Sequence, residues 1–125
     1  MEASSSVFRS AGVSRPKERY LRDLAAHFVD GRIQPRRLPH LGDDQVREAL
    51  TQVLGVGRWT ADMFLMNRLQ RPDVLPSDDL GIRKGVQVLR GLDDMPLPSE
   101  VARMGADWAP YRSTAAWYLW RLLDD

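Results

Sequence analysis

The chain has 125 residues, of which 43% are hydrophobic, and this length and composition suit one compact domain with a modest core. It contains no cysteine, which excludes disulfides and cysteine-ligated iron–sulfur clusters for this sequence. No apolar stretch approaches the length of a transmembrane helix, and the start of the chain lacks the apolar centre of a signal peptide. We therefore expect a soluble intracellular protein with no membrane partner. The formal net charge of +1 does not by itself indicate nucleic-acid binding.

The first part of the chain predicts an irregular segment followed by one long helix. Residues 1–10 are serine-rich, and we expect them to be disordered or non-native, ahead of a folded domain over residues 11–125. A helix is predicted from Ser14 to about Val29, with Gly31 as its stop. Basic residues cluster near the start of this helix and give local support for DNA binding: Arg15, Lys17, Arg19 and Arg22.

A glycine turn, Gly55-Val56-Gly57, lies between two helical patterns. The first pattern begins at Asp43, and its apolar residues recur at the spacing of one buried helical face: Val46, Ala49, Leu50, Val53 and Leu54. Glycine reaches positive φ at low cost and leaves its amide accessible to a ligand. Just after the turn, the second helix offers its unpaired first-turn amides and the positive end of its dipole, and Arg58 adds a full charge. These features predict a site for a DNA phosphate, although an ordinary packing corner between two helices gives the same short pattern.

Two adjacent acids, Asp78 and Asp79, directly precede the next helical pattern, which runs from Leu80 and ends near Gly91. Hydrolysis of an N-glycosidic bond passes through an oxocarbenium-like sugar, and a nearby ionised carboxylate stabilises that charge or orients the attacking water. The alternative role for Asp79 is to cap the helix, and the two roles are compatible. Spacing alone does not separate the two acids. Together with the anion site, the carboxylate indicates DNA base excision.

The remaining elements are also predicted to be helical. Gln70 to Pro76 is a connector with two prolines, a short helix begins at Ser99, and Pro110 opens a last helix that is apolar nearly all round. No alternation typical of strands and no internal repeat stands out. The predicted fold class is therefore all-α.

Four sequence blocks, taken together, resemble one protein family. They begin at Ala11 (AGVSRPK), Gly55 (GVGRWTA), Asp79 (DLGIRK) and Trp108 (WAPYRS, running on into AWYLWR). In this order, over roughly Ala11 to Leu123, the chain resembles the 3-methyladenine DNA glycosylases of the helix-hairpin-helix (HhH-GPD) superfamily. The resemblance implies a helix-hairpin-helix glycosylase domain that hydrolyses the glycosidic bond of flipped-out alkylated purines such as 3-methyladenine.

The resemblance also implies roles for individual residues of the active site. Asp79 occupies the position of the catalytic aspartate, with Asp78 as its neighbour at the base-binding site. Trp59 and Trp120 fall where the family places aromatic walls of the base pocket, positions that plain core packing would equally explain. Met63 stands where some relatives carry another aromatic, so their base preference cannot be transferred to this chain.

For the hairpin, the resemblance implies DNA binding through the turn and the start of the second helix. The residues assigned to the DNA phosphate are Gly55, Val56, Gly57, Arg58 and Thr60. The family also permits a monovalent ion at the backbone carbonyls of Leu54 and Gly57. The two histidines, His27 and His40, lack the spacing of metal ligands, so we expect no cofactor and no metal held by side chains.

The chemistry of alkylated purines explains why one carboxylate is sufficient. An alkylated purine already bears positive charge and leaves readily, so no second acid is needed to protonate it. The same charge is attracted to tryptophan faces by about 0.5 to 2 kcal/mol. Because the duplex hides the sugar–base bond, the nucleotide must first be flipped out of the double-stranded DNA.

The position of Trp59 distinguishes two reaction types. In the related endonuclease III-like enzymes a lysine stands there and attacks the sugar, so that strand cleavage follows base removal. The only lysines of this chain are Lys17 and Lys84, and Lys84 is assigned a phosphate or surface role. The resemblance therefore implies a monofunctional glycosylase.

The main departure from the family lies at the front of the chain. Family members have further helices before the Ala11 region, so we expect an N-terminally truncated glycosylase whose exposed apolar faces are covered by a homodimer or a companion chain. Two other functions stay open: a non-catalytic helix-hairpin-helix DNA-binding module or inactive fragment, and a helical interaction protein. The expected location is the cytoplasm, associated with the nucleoid in a bacterium, or the nucleus.

Overall fold

The computed structural model describes residues 4–124 of the chain. Within this range the secondary structure is helical without strands, in the order α1 (Ser5–Ser10), α2 (Arg15–Val29), α3 (Asp43–Thr51), α4 (Arg58–Asn67), α5 (Leu80–Arg90), α6 (Pro98–Gly105) and α7 (Arg112–Arg121). Short 3₁₀ turns lie at Leu38–His40 and Ala106–Trp108. The all-α prediction is confirmed. None of the helices in this range is long and apolar enough to cross a membrane.

The chain divides into two compact units, residues 1–57 and residues 58–125. The division falls at the end of the glycine turn, and one glycosylase domain over residues 11–125 stays a prediction. Each unit is therefore described by itself.

In the first unit, α1 forms where the sequence analysis expects disordered or non-native chain. Phe8 on α1 is buried, and the Arg22 guanidinium lies 4.9 Å from the centre of its ring. Glu18 accepts hydrogen bonds from the Ser5 hydroxyl at 2.9 Å and from the Arg9 guanidinium at 2.8 Å. Over Ser5–Ser10 the structure therefore has a helix, for which α2 supplies both a cation–π partner and a carboxylate partner. The part of that expectation concerning residues 1–3 lies outside the described residues.

The bounds of α2 follow its capping residues. The Ser14 hydroxyl accepts a hydrogen bond from the Lys17 amide at 3.3 Å, and the helix begins at Arg15. It ends at Val29, and Gly31 follows with φ at 80°, a conformation that glycine adopts without strain. The predicted start and stop of this helix are confirmed.

The next helix, α3, begins at Asp43 as predicted. Val46 and Val53 are buried, but Leu54 is 50% exposed. The prediction that Leu54 belongs to the buried face is wrong, because α3 ends at Thr51 and the helical spacing no longer applies three residues later.

In the second unit, α5 packs against α7 at very short range. Ile82 and Val86 of α5 are fully buried. A Cβ atom added at Gly85 would lie 2.8 Å from the Leu119 carbonyl oxygen of α7, so glycine is what permits this approach. The helix ends as predicted at Gly91, which has φ at 64°.

The last two helices begin close to their predicted starts. Pro98 is the first residue of α6, one residue before the predicted Ser99, because proline is well suited to the first helical position. The start of α7 is Arg112, two residues after Pro110. Although α7 is apolar on most sides, only one face is buried: Ser113, Ala116 and Leu119.

Candidate active site

Asp79 is the N-cap residue of α5. Its backbone is extended, with φ at −68° and ψ at 129°, and one carboxylate oxygen, Oδ2, accepts a hydrogen bond from the Ile82 amide at 2.9 Å. The capping role that the sequence analysis keeps as an alternative is therefore present. The other carboxylate oxygen, Oδ1, takes no part in this capping bond.

Both oxygens of Asp79 also accept hydrogen bonds from indole groups. The Trp59 Nε1 atom lies 2.5 Å from Oδ1, and the Trp120 Nε1 atom lies 2.8 Å from Oδ2. The start of α4, the cap of α5 and the end of α7 thus meet at one carboxylate. The sequence analysis names all three residues as site residues, and the structure brings them together. The hydrogen bonds from the two indole N–H groups to the carboxylate were not predicted from the sequence.

The exposure of the two tryptophans differs. Trp59 is 48% exposed, whereas Trp120 is partly buried and contacts Trp117 edge to face with ring centres 5.1 Å apart. Since each indole N–H is directed at Asp79, a molecule entering beside Trp59 meets ring surface. Plain core packing therefore does not describe Trp59.

The hydrogen bonds at Asp79 control its ionisation. Burial raises the pKa of this carboxyl group, but hydrogen bonds from Trp120, Trp59 and the amides of Ile82 and Gly81 outweigh burial and hold the pKa below the ordinary value of aspartate. Asp79 is therefore a carboxylate anion at neutral pH, in a setting where water is partly excluded.

Gly81 makes room for this arrangement. A Cβ atom added there would lie 3.0 Å from the Trp120 ring carbon Cδ1 and 3.1 Å from Asp79 Oδ2. The sequence analysis does not single out Gly81 as a site residue. The available signal was a pair of glycines one turn apart inside a helix, Gly81 and Gly85, since glycine inside a helix usually has a packing reason.

The other two base-binding candidates lie in different surroundings. Asp78 is exposed and lines a cavity of about 170 Å³ together with Arg58 and Ser99. The structure thus separates the two adjacent acids that spacing could not separate. Met63 is partly buried on α4, one turn beyond Trp59. Base-binding roles for Asp78 and Met63 stay predictions.

The glycine turn of the first unit is held by two side chains of α2. Gly55 has φ at 84°, and a Cβ atom added there would lie 2.5 Å from ring carbons of Tyr20. The Leu54 amide donates a hydrogen bond to Asp23 Oδ2 at 2.7 Å. Tyr20 and Asp23, one turn apart on α2, therefore fix the conformation of the turn, and the sequence analysis missed Asp23 because nothing local in the sequence marks it.

The residues assigned to the DNA phosphate have the accessibility this role needs. Gly55 and Gly57 are exposed, and Val56 is partly buried. In the second unit, Thr60 is exposed, as is Arg58, whose Nε atom lies 3.8 Å from Oδ2 of the fully buried Asp62. Phosphate binding by these residues stays a prediction.

Backbone oxygens are the candidate ligands for a monovalent ion. Leu54 and Gly57 are both exposed, and neutral carbonyl oxygens are ligands of the type that such a cation binds, so the donor chemistry is compatible with the ion; its binding stays a prediction. It would add positive charge beside a bound phosphate. Within residues 4–124 no group of three or more His, Cys, Asp or Glu side chains could hold a metal ion.

An all-helical fold, a glycine hairpin before a helix, and a carboxylate between two indoles together define the helix-hairpin-helix class of base-excision proteins. The family model described as HhH-GPD superfamily base excision DNA repair protein matches residues 1–110, and the chain belongs to this superfamily.

Individual relatives agree with this assignment. DNA-3-methyladenine glycosylase 1 of Schizosaccharomyces pombe is 38% identical over 116 residues, which cover 92% of this chain and 51% of that protein. A solved structure of the S. pombe 3-methyladenine DNA glycosylase in complex with abasic DNA matches with a TM-score of 0.85 and 36% identity, covering 96% of this chain and 59% of that one. The structure of DNA-3-methyladenine glycosidase from Bacillus halodurans gives a TM-score of 0.86 and 36% identity, covering 96% and 55%. The chain spans about half the length of the relatives it matches.

Proposed function

We propose that this chain carries the base-excision site of a monofunctional DNA glycosylase, which hydrolyses the glycosidic bond of alkylated purines such as 3-methyladenine flipped out of double-stranded DNA. The observation that carries the proposal is the ionised carboxylate of Asp79, held between the indole N–H groups of Trp59 and Trp120. The names of the similar proteins support the same reaction. A DNA substrate implies that the protein acts inside the cell, at the nucleoid or in the nucleus.

The proposed role of Asp79 is electrostatic. As the bond to the base breaks, positive charge develops on the sugar, and a fixed anion beside it lowers the energy of that state. Its lowered pKa makes Asp79 a weak base, which favours stabilisation of charge over removal of a proton from water. A cationic purine can leave without protonation, so the single carboxylate is sufficient.

The proposed base pocket uses the ring surfaces of the tryptophans. A cation placed over an indole face gains about 0.5 to 2 kcal/mol, more as water is excluded. Trp59 is 48% exposed, which leaves ring surface for such a contact. Met63, one turn along α4, and Asp78 complete the proposed base-binding set.

The proposed partner is double-stranded DNA, bound through its phosphates at the hairpin. Amides at a glycine turn and at the start of a helix bind anions without reading sequence. The proposed phosphate contacts are Gly55, Val56, Gly57, Arg58 and Thr60. A further chain, either a second copy or a companion polypeptide, is the proposed partner for exposed apolar side chains of the first predicted helix and the hairpin helices, such as Leu21 and Phe28 on α2.

Asp79→Asn tests the proposal, with Asp94→Asn, at an exposed position outside the proposed site, as the matched control and Asp78→Asn as the comparison at the neighbouring acid. Asparagine removes the charge, and its NH₂ group faces an indole N–H donor that needs an acceptor, so release of free methylated purine from alkylated duplex should fall by about a hundredfold or more. Binding to duplex DNA should persist in all three variants. Asp94→Asn removes the same charge elsewhere and should keep the release. Asp78→Asn removes a charge from the proposed base-binding set, so it should weaken binding of the flipped base more than it lowers the single-turnover rate.

Three other outcomes contradict the proposal in different ways. Equal release by the wild type and Asp79→Asn removes Asp79 from catalysis. Loss of release in Asp78→Asn alone identifies the neighbouring acid as the important one. Salt-sensitive DNA binding without any base release indicates the non-catalytic binding module.

A further inference from the structure

Away from the indole pair, a cluster of polar side chains joins the connector before Asp79 to the start of α7. It consists of Asp73, Arg112 and Ser113, and we call it the connector brace. We propose that the connector brace positions Trp120 against Asp79, so that its three members are positioning residues for the reaction. The importance of this for catalysis rests on the proposed function, whereas the geometric effect can be measured without it.

The first half of the brace is a two-point ion pair. Arg112 Nε lies 2.7 Å from Asp73 Oδ1, and Arg112 Nη2 lies 2.9 Å from Asp73 Oδ2. The Arg112 backbone amide also donates to Asp73 Oδ1 at 3.2 Å. Parallel contacts of this kind fix the relative orientation of the two groups as well as their distance. The Arg112 side chain holds the pKa of Asp73 below its ordinary value, so the pair is charged at neutral pH.

The second half of the brace is Ser113, which forms hydrogen bonds with three residues of the connector. Its hydroxyl donates to the Arg71 carbonyl at 2.6 Å and accepts from the Val74 amide at 2.9 Å. Its backbone amide donates to the Pro72 carbonyl at 3.0 Å. Ser113 is buried, so these bonds are protected from competing water.

Each half of the brace is followed along the chain by a segment that reaches the candidate site. On one side Val74, Leu75, Pro76 and Ser77 are all buried, and the Asp79 amide donates to the Pro76 carbonyl at 3.0 Å. On the other side Trp120 follows Ser113 by seven residues, two helical turns, which is about 10 Å along the same face of α7. The brace therefore fixes the position of α7, which carries the Trp120 donor, along the connector, which leads to the Asp79 acceptor.

The Trp59–Asp79 hydrogen bond provides an internal control for the Trp120–Asp79 hydrogen bond. It reaches Asp79 from α4, and no member of the brace lies on that helix. A disturbance of the brace should therefore change the Trp120 contact more than the Trp59 contact. A general loss of stability would change both.

The test uses nuclear magnetic resonance of the indole N–H groups in the whole chain. Resonances of Trp59 and Trp120 are assigned with Trp59→Phe and Trp120→Phe, and both report the titration of Asp79. In Arg112→Gln the Asp79 titration midpoint should move to higher pH. At a pH well above that midpoint, where Asp79 is ionised in both proteins, the Trp120 resonance should shift while the Trp59 resonance stays close to its wild-type position. Arg121→Gln, an exposed arginine on the same helix, is the matched control and should leave both resonances unchanged.

The activity measurement adds a second readout. If the wild type releases alkylated purine, Arg112→Gln should lower the rate by about tenfold or more without changing DNA affinity, since a misplacement of the order of 1 Å at a reacting group is costly. Arg112→Lys keeps the charge but not the two-point contact, so it should recover only part of the rate. Asp73→Asn, which keeps one oxygen for the guanidinium, replaces Arg112→Gln in every measurement if the latter does not fold.

The outcomes separate the two proposals. An unchanged Trp120 resonance and an unchanged Asp79 midpoint in a folded brace variant overturn the positioning role, whatever the activity. A shifted Trp120 resonance in a chain whose wild type releases no base supports the positioning role and contradicts the proposed function. Equal shifts of the Trp59 and Trp120 resonances indicate a general structural effect and overturn the specific role of the brace.

Discussion

At the scale of single residues, Asp79 shows how a helix cap becomes a candidate reactive group. The Ile82 amide uses one carboxylate oxygen for capping, and two indole N–H groups then complete the coordination of both oxygens. Hydrogen bonds to the charged form outweigh the cost of burial, which keeps the group ionised.

Trp120→Phe tests the control of this pKa. Phenylalanine keeps most of the burial, which raises the pKa, but removes one hydrogen bond that lowers it, so the pKa of Asp79 should rise. The proposed function requires the ionised form, so base release should fall off at higher pH on the acid side than in the wild type. The pH dependence of single-turnover release measures this, with Tyr118→Phe, at an exposed position of the same helix, as control. An unchanged acid limb would show that Trp120 does not tune Asp79.

The absence of a lysine at position 59 leads to another prediction. A lysine amine that attacks the sugar forms a Schiff base, and borohydride reduction would trap it as a covalent protein–DNA complex. Lys84 is exposed on α5, so we expect no trapped complex with alkylated duplex under conditions where base is released. Gel electrophoresis after reduction measures it. A trapped species that disappears in Lys84→Ala would contradict the monofunctional assignment.

At the scale of elements, close contacts between helices decide where the side chains of the site lie. Gly81 and Gly85 face α7 from successive turns of α5, and added Cβ atoms would meet Trp120 and Leu119 there. In the first unit, Tyr20 lies against Gly55 in a comparable way. In both places the absence of a side chain permits one element to approach another.

Gly85→Ala tests the contact between α5 and α7. Alanine is favoured over glycine in a helix by about 1 kcal/mol, but the new Cβ would lie 2.8 Å from the Leu119 carbonyl oxygen, a backbone atom that cannot move alone. We expect the clash to dominate and the free energy of unfolding to fall by about 1 to 3 kcal/mol in urea denaturation. Val88→Ala, at an exposed position of the same helix, should change it little. A more stable Gly85→Ala would contradict the contact.

Substitutions of Asp23 test whether α2 holds the glycine turn in the conformation that DNA binding requires. Asp23→Ala removes the acceptor of the Leu54 amide, a hydrogen bond worth about 1 kcal/mol, so duplex affinity should fall about fivefold. Asp23→Asn keeps an oxygen acceptor and should bind nearly as the wild type does. Fluorescence anisotropy at one salt concentration compares the two. Equal affinities of both variants would show that the turn needs no such support.

At the scale of the whole molecule, the sequence predicts the helices well and the contacts between them poorly. Capping residues such as Ser14 and stops such as Gly31 and Gly91 act locally, so the helix bounds could be inferred directly. The position of the two acids before a helix marks Asp78 and Asp79 as candidates, but the choice of Asp79 and the roles of Trp59 and Trp120 depend on the resemblance to a family, because the three side chains meet through contacts over 20 and 41 residues. Contacts over such separations leave no periodic pattern in a single sequence.

The same reason explains what the sequence analysis missed. Asp23 pairs with an amide 31 residues away, and Asp73 and Arg112 are 39 residues apart. Serine content predicts a disordered or non-native segment over residues 1–10, whereas burial of Phe8 and the bond from Ser5 to Glu18, neither of which serine content reveals, stabilise α1 over Ser5–Ser10.

The exposed side chains of α7 bear on the oligomeric state. Tyr111, just before the helix, is 68% exposed, and Trp117 and Tyr118 on it are 53% and 67% exposed. Clustered exposed aromatics are typical of surfaces that bind a partner. When the chain is purified alone, we expect light scattering after size-exclusion chromatography to give the mass of two copies, and Trp117→Ser with Tyr118→Ser to weaken the association. A monomer at all concentrations would contradict this expectation.

The two indole N–H groups committed to Asp79 also determine how lesions would be told apart. With those donors occupied, neither tryptophan can use its N–H to read the pattern of donors and acceptors along a purine edge. Discrimination then depends on electron deficiency of the ring, a property shared by purines methylated at different positions. A site built in this way would accept several lesions of one electronic type, with modest preference among them, and would reject intact bases mainly because they leave slowly.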